Sequence, residues 1–446
     1  MKAALLVLLA AGLAGGEVFA DGTTAVFLGD SITHDGRWVR YVADYYATRF
    51  PERQVVLIDA GVSGDTAGGA MRRLDADVLV WKPDVVVAML GMNDCGRDAY
   101  KSGVAADAAL LAVRERHIAT YGERMSALAV RIRQAGSRLI LVAPSPYDDG
   151  ATGAQAKLPG ANAALGRCAA QLPRIAADAG AEVVDLHSPM TELGASRRAA
   201  DPAFTLIGPD RVHPGSPGHL VMAWLFLTAQ RAPSLVSRIH IDAARGVAEA
   251  EGAAVSGLVA APEGISFTAQ AAALPFPIAA DARPALAWAP IEADLDRETL
   301  LVSGLAAGRW RLEIDGVAIA TCTAAELAAG IDTARLDTPQ RRQAAEVQRL
   351  NEQRRQIEQR LRAIAMVEWR ILGPADGDIA DPSVAMRAVE RRLAEEKNAF
   401  LRRMLEEYRA SRPQRDALRV QVVAMADDVR KAARPHTVRY RLVPQR

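Results

Sequence analysis

Val85-Val86-Val87-Ala88-Met89-Leu90 is an unbroken apolar run, with Pro83 ahead of it and Gly91 behind. A strand with one wet face alternates apolar and polar residues. A short continuous run instead suits a strand buried on both faces, the situation inside a parallel sheet covered by helices. Working outward, four more short runs have a similar character: Ala25–Leu28, Val55–Asp59, Arg138–Ala143 and Glu182–Leu186. Helical spacing fills the intervals, over Trp38–Phe50 up to Pro51, Thr66–Trp81 up to Pro83, Ala106–Ala135 up to Gly136, and Asn162–Ala179 up to Gly180. Pro and Gly stand where helices have to stop. The alternation predicts an α/β fold from Thr24 to about Ala232, a parallel sheet with helices on both faces.

Chemistry in such folds gathers where the strands end. The first run ends in Gly29-Asp30-Ser31, the second leads into Ala60-Gly61-Val62-Ser63-Gly64-Asp65-Thr66, and the third into Gly91-Met92-Asn93-Asp94. A fourth polar stretch, Asp210-Arg211-Val212-His213-Pro214-Gly215, precedes a helix that starts near Pro217. Taken singly, each has an ordinary reading: Ser31 as a cap or turn residue, Asn93-Asp94 as a capping pair, Asp210 and His213 as part of a surface loop. Together they supply what ester hydrolysis requires. A serine hydroxyl is barely ionised at neutral pH and needs a base, and that base needs an orienting acid. The tetrahedral intermediate also needs donors aimed at its oxygen.

In these four stretches, which span about the first 215 residues, the chain resembles the SGNH (GDSL-type) esterases. The resemblance implies a three-layer α/β/α core with a five-stranded parallel sheet, SGNH/flavodoxin-like, and no metal or organic cofactor. It implies Ser31 as nucleophile, His213 as general base and Asp210 as the carboxylate that orients it. The oxyanion donors it implies are the Ser31 N–H, the Gly61 N–H and the Asn93 side-chain amide. Glycine at 61 fits a backbone that has to approach substrate closely. Asp30 and Asp94 are expected to support their loops through backbone hydrogen bonds. His34 either lines the pocket or faces solvent, and Cys95 is read as structural, because His213 is already the base for Ser31. His213 and His219 share no helical face and lack a third ligand, so no metal is expected.

The 446 residues carry 54 basic and 53 acidic side chains, a net charge of +1. That balance gives no field to hold a nucleic acid. Three cysteines, Cys95, Cys168 and Cys322, make no disulfide framework. Lys2, the apolar Ala3–Leu13 and the small-residue site Val18-Phe19-Ala20 read as an export leader over 1–20, which implies a secreted or periplasmic protein. No later stretch is long and apolar enough to span a bilayer.

The hydrolase domain is read as 21–232, and 233–446 as a second region. There, β-type alternation over about 257–323 and again over 437–443 is interrupted by a helical insertion at about 338–434. Thr299–Val302, Arg309–Ile314 and Val317–Ala320 read as strands, with Asp315-Gly316 a hairpin turn. Val347, Leu350, Arg354, Ile357, Leu361 and Ile364 form a helical seam with one polar member, and Glu352, Arg355, Glu358 and Arg360 read as a solvated face. Further helices are expected from Pro382 to before Pro413 and over Asp416–Arg434. This second region is expected to be a packing appendage or a module that shapes the substrate cleft.

The expected partner is a small-molecule or polysaccharide ester. Export and the lack of a lid-like apolar stretch favour a carbohydrate O-acetylesterase. A lysophospholipase or thioesterase for longer acyl chains, and a non-catalytic binding or scaffold protein, are the competing readings.

Overall fold

A computed structural model describes residues 19–103, 107–152 and 157–445. The N-terminal part runs β1 (Thr24–Gly29), α1 (Ser31–His34), α2 (Arg37–Arg49), β2 (Val56–Gly61), α3 (Ala67–Arg73), β3 (Val85–Met89), α4 (Ala108–Gln134), β4 (Arg138–Val142), α5 (Ala161–Ala169), α6 (Leu172–Ala179), β5 (Glu182–Val184), α7 (His187–Ala200) and α8 (Ser216–Ala229). The five strands form one parallel sheet in the order β2-β1-β3-β4-β5, and helices flank it. Every residue of β3 is buried, which accounts for its unbroken apolar run. Gly29 pairs with Gly61 on one side and Met89 on the other. The ends of β1, β2 and β3 are therefore level, and the three loops that follow them open on one rim of the sheet.

Local departures have local causes. The helix expected over Thr66–Trp81 stops at Arg73, and a π turn (Leu74–Val78) and a 3-10 turn (Leu79–Trp81) carry the chain on. The helix expected over Asn162–Ala179 breaks at Ala170-Gln171, with Pro173 in the first turn of α6. α7 has no counterpart in the sequence reading, because only His187, Met190 and Gly194 are buried along it and the apolar pattern is thin. Ala106, the expected start of α4, lies outside the described residues. The helix begins at Ala108 behind Asp107, whose side chain accepts from the Leu110 N–H.

Residues 1–18 of the expected leader lie outside the described residues, but its expected end does not. Phe19 is fully buried, stacks on Tyr46 at 5.0 Å and donates its N–H to the Tyr46 hydroxyl at 2.9 Å. Arg53 donates to the Phe19 carbonyl at 2.9 Å. Cleavage after Ala20 would remove this ring from the core.

The rest of the chain adds β6 (Leu235–Asp242), β7 (Val247–Glu251), β8 (Ala253–Ala261), β9 (Gly264–Ala271), α9 (Ile291–Leu295), β10 (Arg297–Ser303), β11 (Arg309–Ile314), β12 (Val317–Thr323), α10 (Ala324–Ala329), β13 (Ile331–Asp332), α11 (Pro339–Met366), α12 (Pro382–Glu395), α13 (Ala399–Ser411), α14 (Arg415–Ala432) and β14 (Val438–Gln445). Its strands make two sheets, ordered β13-β10-β6-β7 and β12-β11-β14-β9-β8, rather than one small β unit. Ile241, Val302, Phe267, Leu312 and Leu442 from the two sheets share one core. α11 to α14 lie between β13 and β14 in the chain.

α11 packs on the hydrolase domain along the outer edge of β2. An edge strand presents unpaired backbone groups, and here α11 supplies their partners. Arg354, the polar member of the helical seam, donates to the Leu57 carbonyl, and the Asp59 N–H points at Glu358 Oε1 at 3.5 Å. Gln359 donates to the His34 carbonyl at 2.6 Å and Arg355 to the Asp35 carbonyl at 2.8 Å. The reading of Glu352, Arg355, Glu358 and Arg360 as a solvated face is thus corrected. Glu358 is buried, Glu352 pairs with Arg40 of α2 at 3.3 Å, and Arg360 reaches Gln414 at 2.9 Å. These charges hold the helix to its neighbours. Among the described residues, no helix is long and apolar enough to cross a membrane.

Candidate active site

Ser31 is the first residue of α1, immediately after β1. Asp30 caps that helix by accepting the Ile32 N–H at 3.0 Å. The Ser31 N–H has no acceptor among the described residues, as a first-turn helix donor has none within its own helix. Ser31 Oγ lies 2.7 Å from His213 Nε2, and His213 Nδ1 lies 2.5 Å from Asp210 Oδ2. Asp210 Oδ1 accepts the backbone N–H groups of Val212 and His213 at 3.0 and 2.9 Å. Partial burial pushes the Asp210 carboxyl up, but the hydrogen bonds from His213 and Val212 outweigh it and hold it below its ordinary value. Three side chains brought together across 182 residues of sequence thus form a line suited to moving a proton off Ser31.

The loop that carries Asp210 and His213 is pinned from behind. Arg211, at φ 68° and almost fully buried, donates to the carbonyls of Asp148 and Ala151 at 3.0 and 2.6 Å. Asp148 in turn accepts from Arg198 at 3.0 Å and from Thr205 at 2.5 Å. Tyr41 of α2 meets Ser216, three residues past His213, at 2.6 Å.

Asn93 turns its amide nitrogen toward the loop after β2, donating to the Asp65 carbonyl at 2.9 Å. Its oxygen accepts from Arg97 at 3.1 Å. Those contacts fix which way the amide faces and leave its second N–H available. The assignment of the Gly61 N–H as an oxyanion donor is corrected by the geometry. That N–H already donates to Asp59 Oδ1 at 2.7 Å. A Cβ at 61 would come within 2.1 Å of the His34 backbone nitrogen, so glycine is required there for packing against α1. Gly64 fits the role instead. Its φ is +76°, its N–H has no acceptor among the described residues, and it precedes Asp65, the residue that holds Asn93. Gly64 stood in the same sequence block, three residues on. The block alone did not distinguish the two glycines.

Asp30 and Asp94 each meet a backbone N–H of the loops around the site. Asp30 is buried, and burial pushes its carboxyl up to about 6 against the Ile32 N–H. Asp94 accepts the Ala67 N–H at 2.9 Å, and burial pushes it up to about 7. His34 neither lines a pocket nor faces solvent freely. Its Nδ1 accepts the Ser63 N–H at 3.2 Å, and burial, with Arg362 nearby, pulls it down to about 4. Cys95 is buried, and burial pushes its thiol up to about 12, which makes it inert as a nucleophile. His219 is buried 3.5 Å from Asp35 and away from the line of Ser31 and His213. Among the described residues no group of three or more His, Cys, Asp or Glu is placed to hold a metal ion.

Arg73 was not singled out from the sequence, yet it ties the site together. Its fully buried guanidinium donates to the Gly29 carbonyl at 3.1 Å, the Ala60 carbonyl at 2.8 Å and Asp65 Oδ2 at 2.7 Å. One side chain therefore fixes the ends of β1 and β2 and the turn that bears Gly64.

Residues 27–221 match the model of the GDSL-like lipase/acylhydrolase family. Over that segment the resemblance to the SGNH (GDSL-type) esterases is borne out. An acetylxylan esterase of Geobacillus stearothermophilus is 27% identical over 221 residues, 46% of this chain and 93% of that protein. Residues 345–434 of the esterase match a second family model, the diltiazem deacetylase C-terminal helical domain. The solved structure of a gut microbial diltiazem-metabolizing enzyme is 29% identical, with a TM-score of 0.88 over 97% of this chain and 99% of that one. The esterase is a carboxylic ester hydrolase, and the likeness to that structure extends through its helical unit as well as its α/β domain.

Proposed function

We propose that the chain is an exported O-acetylesterase that acts on acetylated carbohydrate by way of an acyl-enzyme. The observation that carries the mechanism is the unbroken line Ser31 Oγ–His213–Asp210, at 2.7 and 2.5 Å. Ser31 Oγ attacks the ester carbonyl carbon while His213 Nε2 takes its proton, and Asp210 stabilises the imidazolium that results. The negative charge on the former carbonyl oxygen meets the Ser31 N–H, the Gly64 N–H and the Asn93 amide. Collapse breaks the ester C–O bond, and the His213 proton leaves on the alcohol. Water, deprotonated by His213, then attacks the acyl-Ser31, and the acid departs with Ser31 Oγ reprotonated.

An acetyl group as the acyl part is supported by one relative, an acetylxylan esterase, and by the match of this chain's own residues 345–434 to the diltiazem deacetylase C-terminal helical domain. A carbohydrate alcohol is supported by the first of them and by the leader-like start of the chain, Lys2 followed by Ala3–Leu13. A second reading, an acetyl ester of a small non-carbohydrate alcohol, is favoured by the likeness of the whole chain to the diltiazem-metabolizing enzyme. An aryl ester series from acetate to octanoate, followed by acetylated xylo-oligosaccharides and an acetylated aromatic alcohol, separates these readings. Sharp preference for acetate and release of acetate from the oligosaccharide are expected. Rates that rise with chain length would overturn the acetyl reading.

A further inference from the structure

One guanidinium stands over the turn that carries the proposed oxyanion donor Gly64, and another over the start of α3 just beyond it. Arg370, at the end of the π turn Val367–Ile371 that follows α11, places Nη2 3.0 Å and Nε 3.4 Å from where a Cβ on Gly64 would sit. Arg124 of α4 lies the same way over Gly68, with Cζ and Nε each 3.2 Å from that position. Both side chains are exposed, and neither has a hydrogen-bond or ion-pair partner among the described residues. Arg124 also lines a groove of about 290 Å³ that starts at Asn93 and Thr66 and runs along α4 past Thr120 to Arg116, a third exposed cation without a partner among the described residues.

Carboxylates that would neutralise this rim are engaged or withdrawn. Asp65 is held by Arg73 at 2.7 Å. Asp94 lines the same groove and feels the charge of Arg124, but it is buried with Oδ1 on the Ala67 N–H, and burial pushes its carboxyl up to about 7. Glu123, next to Arg124 in sequence, does not line the groove. A substrate whose carbonyl rests on Gly64 and Asn93 therefore lies beside Arg370, which stands over Gly64, and near Arg124, which shares a groove with Asn93. Guanidinium is planar and always charged, and matches a carboxylate in two-point contact.

We propose that Arg370 and Arg124 are specificity-determining residues that select acetyl esters whose alcohol portion bears a carboxylate, in a carbohydrate an acetylated uronic acid unit. This rests on the acetylesterase reading above and deepens it. It also gives the helical unit a part in the site, since Arg370 is the side chain by which that unit reaches the oxyanion turn.

The test uses the full chain and three substrates: 4-nitrophenyl acetate, an acetylated xylo-oligosaccharide and an acetylated oligogalacturonate. The wild type is expected to favour the acidic over the neutral oligosaccharide by about 10-fold or more in kcat/KM at low salt, the size of a charged hydrogen bond. That ratio is expected to fall with added salt. Arg370→Ala and Arg124→Ala should each lower it through KM for the acidic substrate, and Arg370→Lys should restore part of it. A purely structural role for Arg370 would lower both oligosaccharide rates together and leave the ratio and its salt dependence in place, which would overturn the proposal. So would a wild type that turns over both oligosaccharides equally. No turnover of 4-nitrophenyl acetate or of either oligosaccharide would instead bring down the acetylesterase reading itself.

Discussion

Arg362 of the helical unit sets its two terminal nitrogens 2.8 Å from the two carboxylate oxygens of Asp77 in the hydrolase domain, and both residues are buried. Arg73 joins the same carboxylate at 2.6 Å and continues to Gly29 and Asp65. One chain of buried charge thus runs from α11 to the end of the strand that delivers Ser31. Breaking it from the α11 side by Arg362→Met should cost about 3–5 kcal/mol, the usual result of removing one member of a buried ionic group. Burial pushes Asp77 up, but Arg362 and Arg73 outweigh that and hold its carboxyl well below the ordinary value. A depressed carboxyl contributes stability above its unfolded value, near 4, and loses it as pH falls further. Urea midpoints at pH 7 and pH 3 should therefore differ less in Arg362→Met than in the wild type. Equal pH dependence would count against the pairing.

Ser31→Ala and His213→Ala should each lower kcat on aryl acetate by on the order of 10⁶-fold, as in other serine–histidine systems. Asp210→Asn should cost roughly 10⁴-fold through the wrong imidazole tautomer. Covalent labelling of Ser31 by a fluorophosphonate checks the nucleophile independently, and near-normal turnover in Ser31→Ala would remove it from the mechanism.

The two glycines after β2 should fail differently. Gly61→Ala drives a Cβ to 2.1 Å from the His34 backbone, so the expected outcome is loss of soluble, folded protein. Gly64→Ala strains a φ of +76° beside an exposed side chain, and a folded protein with much reduced kcat is expected. Asn93→Ala should remove roughly 3 kcal/mol of transition-state stabilisation, about 100-fold or more in kcat with little change in KM. Melting curves together with steady-state rates separate the cases.

His219 is neutral in the fold. Burial pulls it from 6.5 down to about 4, against the pull of Asp35. Between those values the unfolded chain takes up a proton that the folded chain refuses, so this residue's contribution is complete above pH 6.5 and is lost toward pH 4. The loss is on the order of 3 kcal/mol. His219→Gln should show a shallower fall in urea midpoint from pH 7 to pH 4.5 than the wild type, whatever its stability at pH 7. Parallel profiles would refute the assignment.

Phe19 gives a test at the N-terminus. A chain that begins at Asp21 should be less stable than one that begins at Val18 by about 3 kcal/mol, from the lost burial and stacking of one phenyl ring. In a host that exports the chain, N-terminal sequencing is expected to place any cut ahead of Phe19. A mature protein that starts at Asp21 with full stability would contradict this.

The five strands of the α/β sheet were legible because their burial leaves runs such as Val85–Leu90 with no alternation to misread. Ser31, Asn93, Asp210 and His213 were legible because each sits beside a boundary residue, Gly29, Gly91 or Pro214, that marks where an element ends. What could not be read depends on contacts distant in sequence. Gly61 and Gly64 are equally plausible donors until His34 and Asp59 are seen against the first. Glu358 looks like any charged helical residue until the edge of β2 is placed beside it. Arg362 and Asp77 are 285 residues apart. Their pairing leaves no local mark on either segment.

β14, Val438–Gln445, lies in the interior of its sheet, hydrogen-bonded to β11 on one side and β9 on the other. The sheet cannot assemble in the order of its strands in the chain, since β9 and β11 have no shared neighbour until β14 is in place. Residues 339–432, which seal the edge of β2 and bring Arg370 to the oxyanion turn, are held at both ends by strands of the second region, β13 and β14. Losing only β14, the eight residues Val438–Gln445, would leave Ser31 and His213 intact in sequence while releasing one anchor of the helices that flank them. The setting of the site therefore depends on β14, and a chain cut ahead of Val438 would carry every catalytic residue while the helices beside them had lost one anchor.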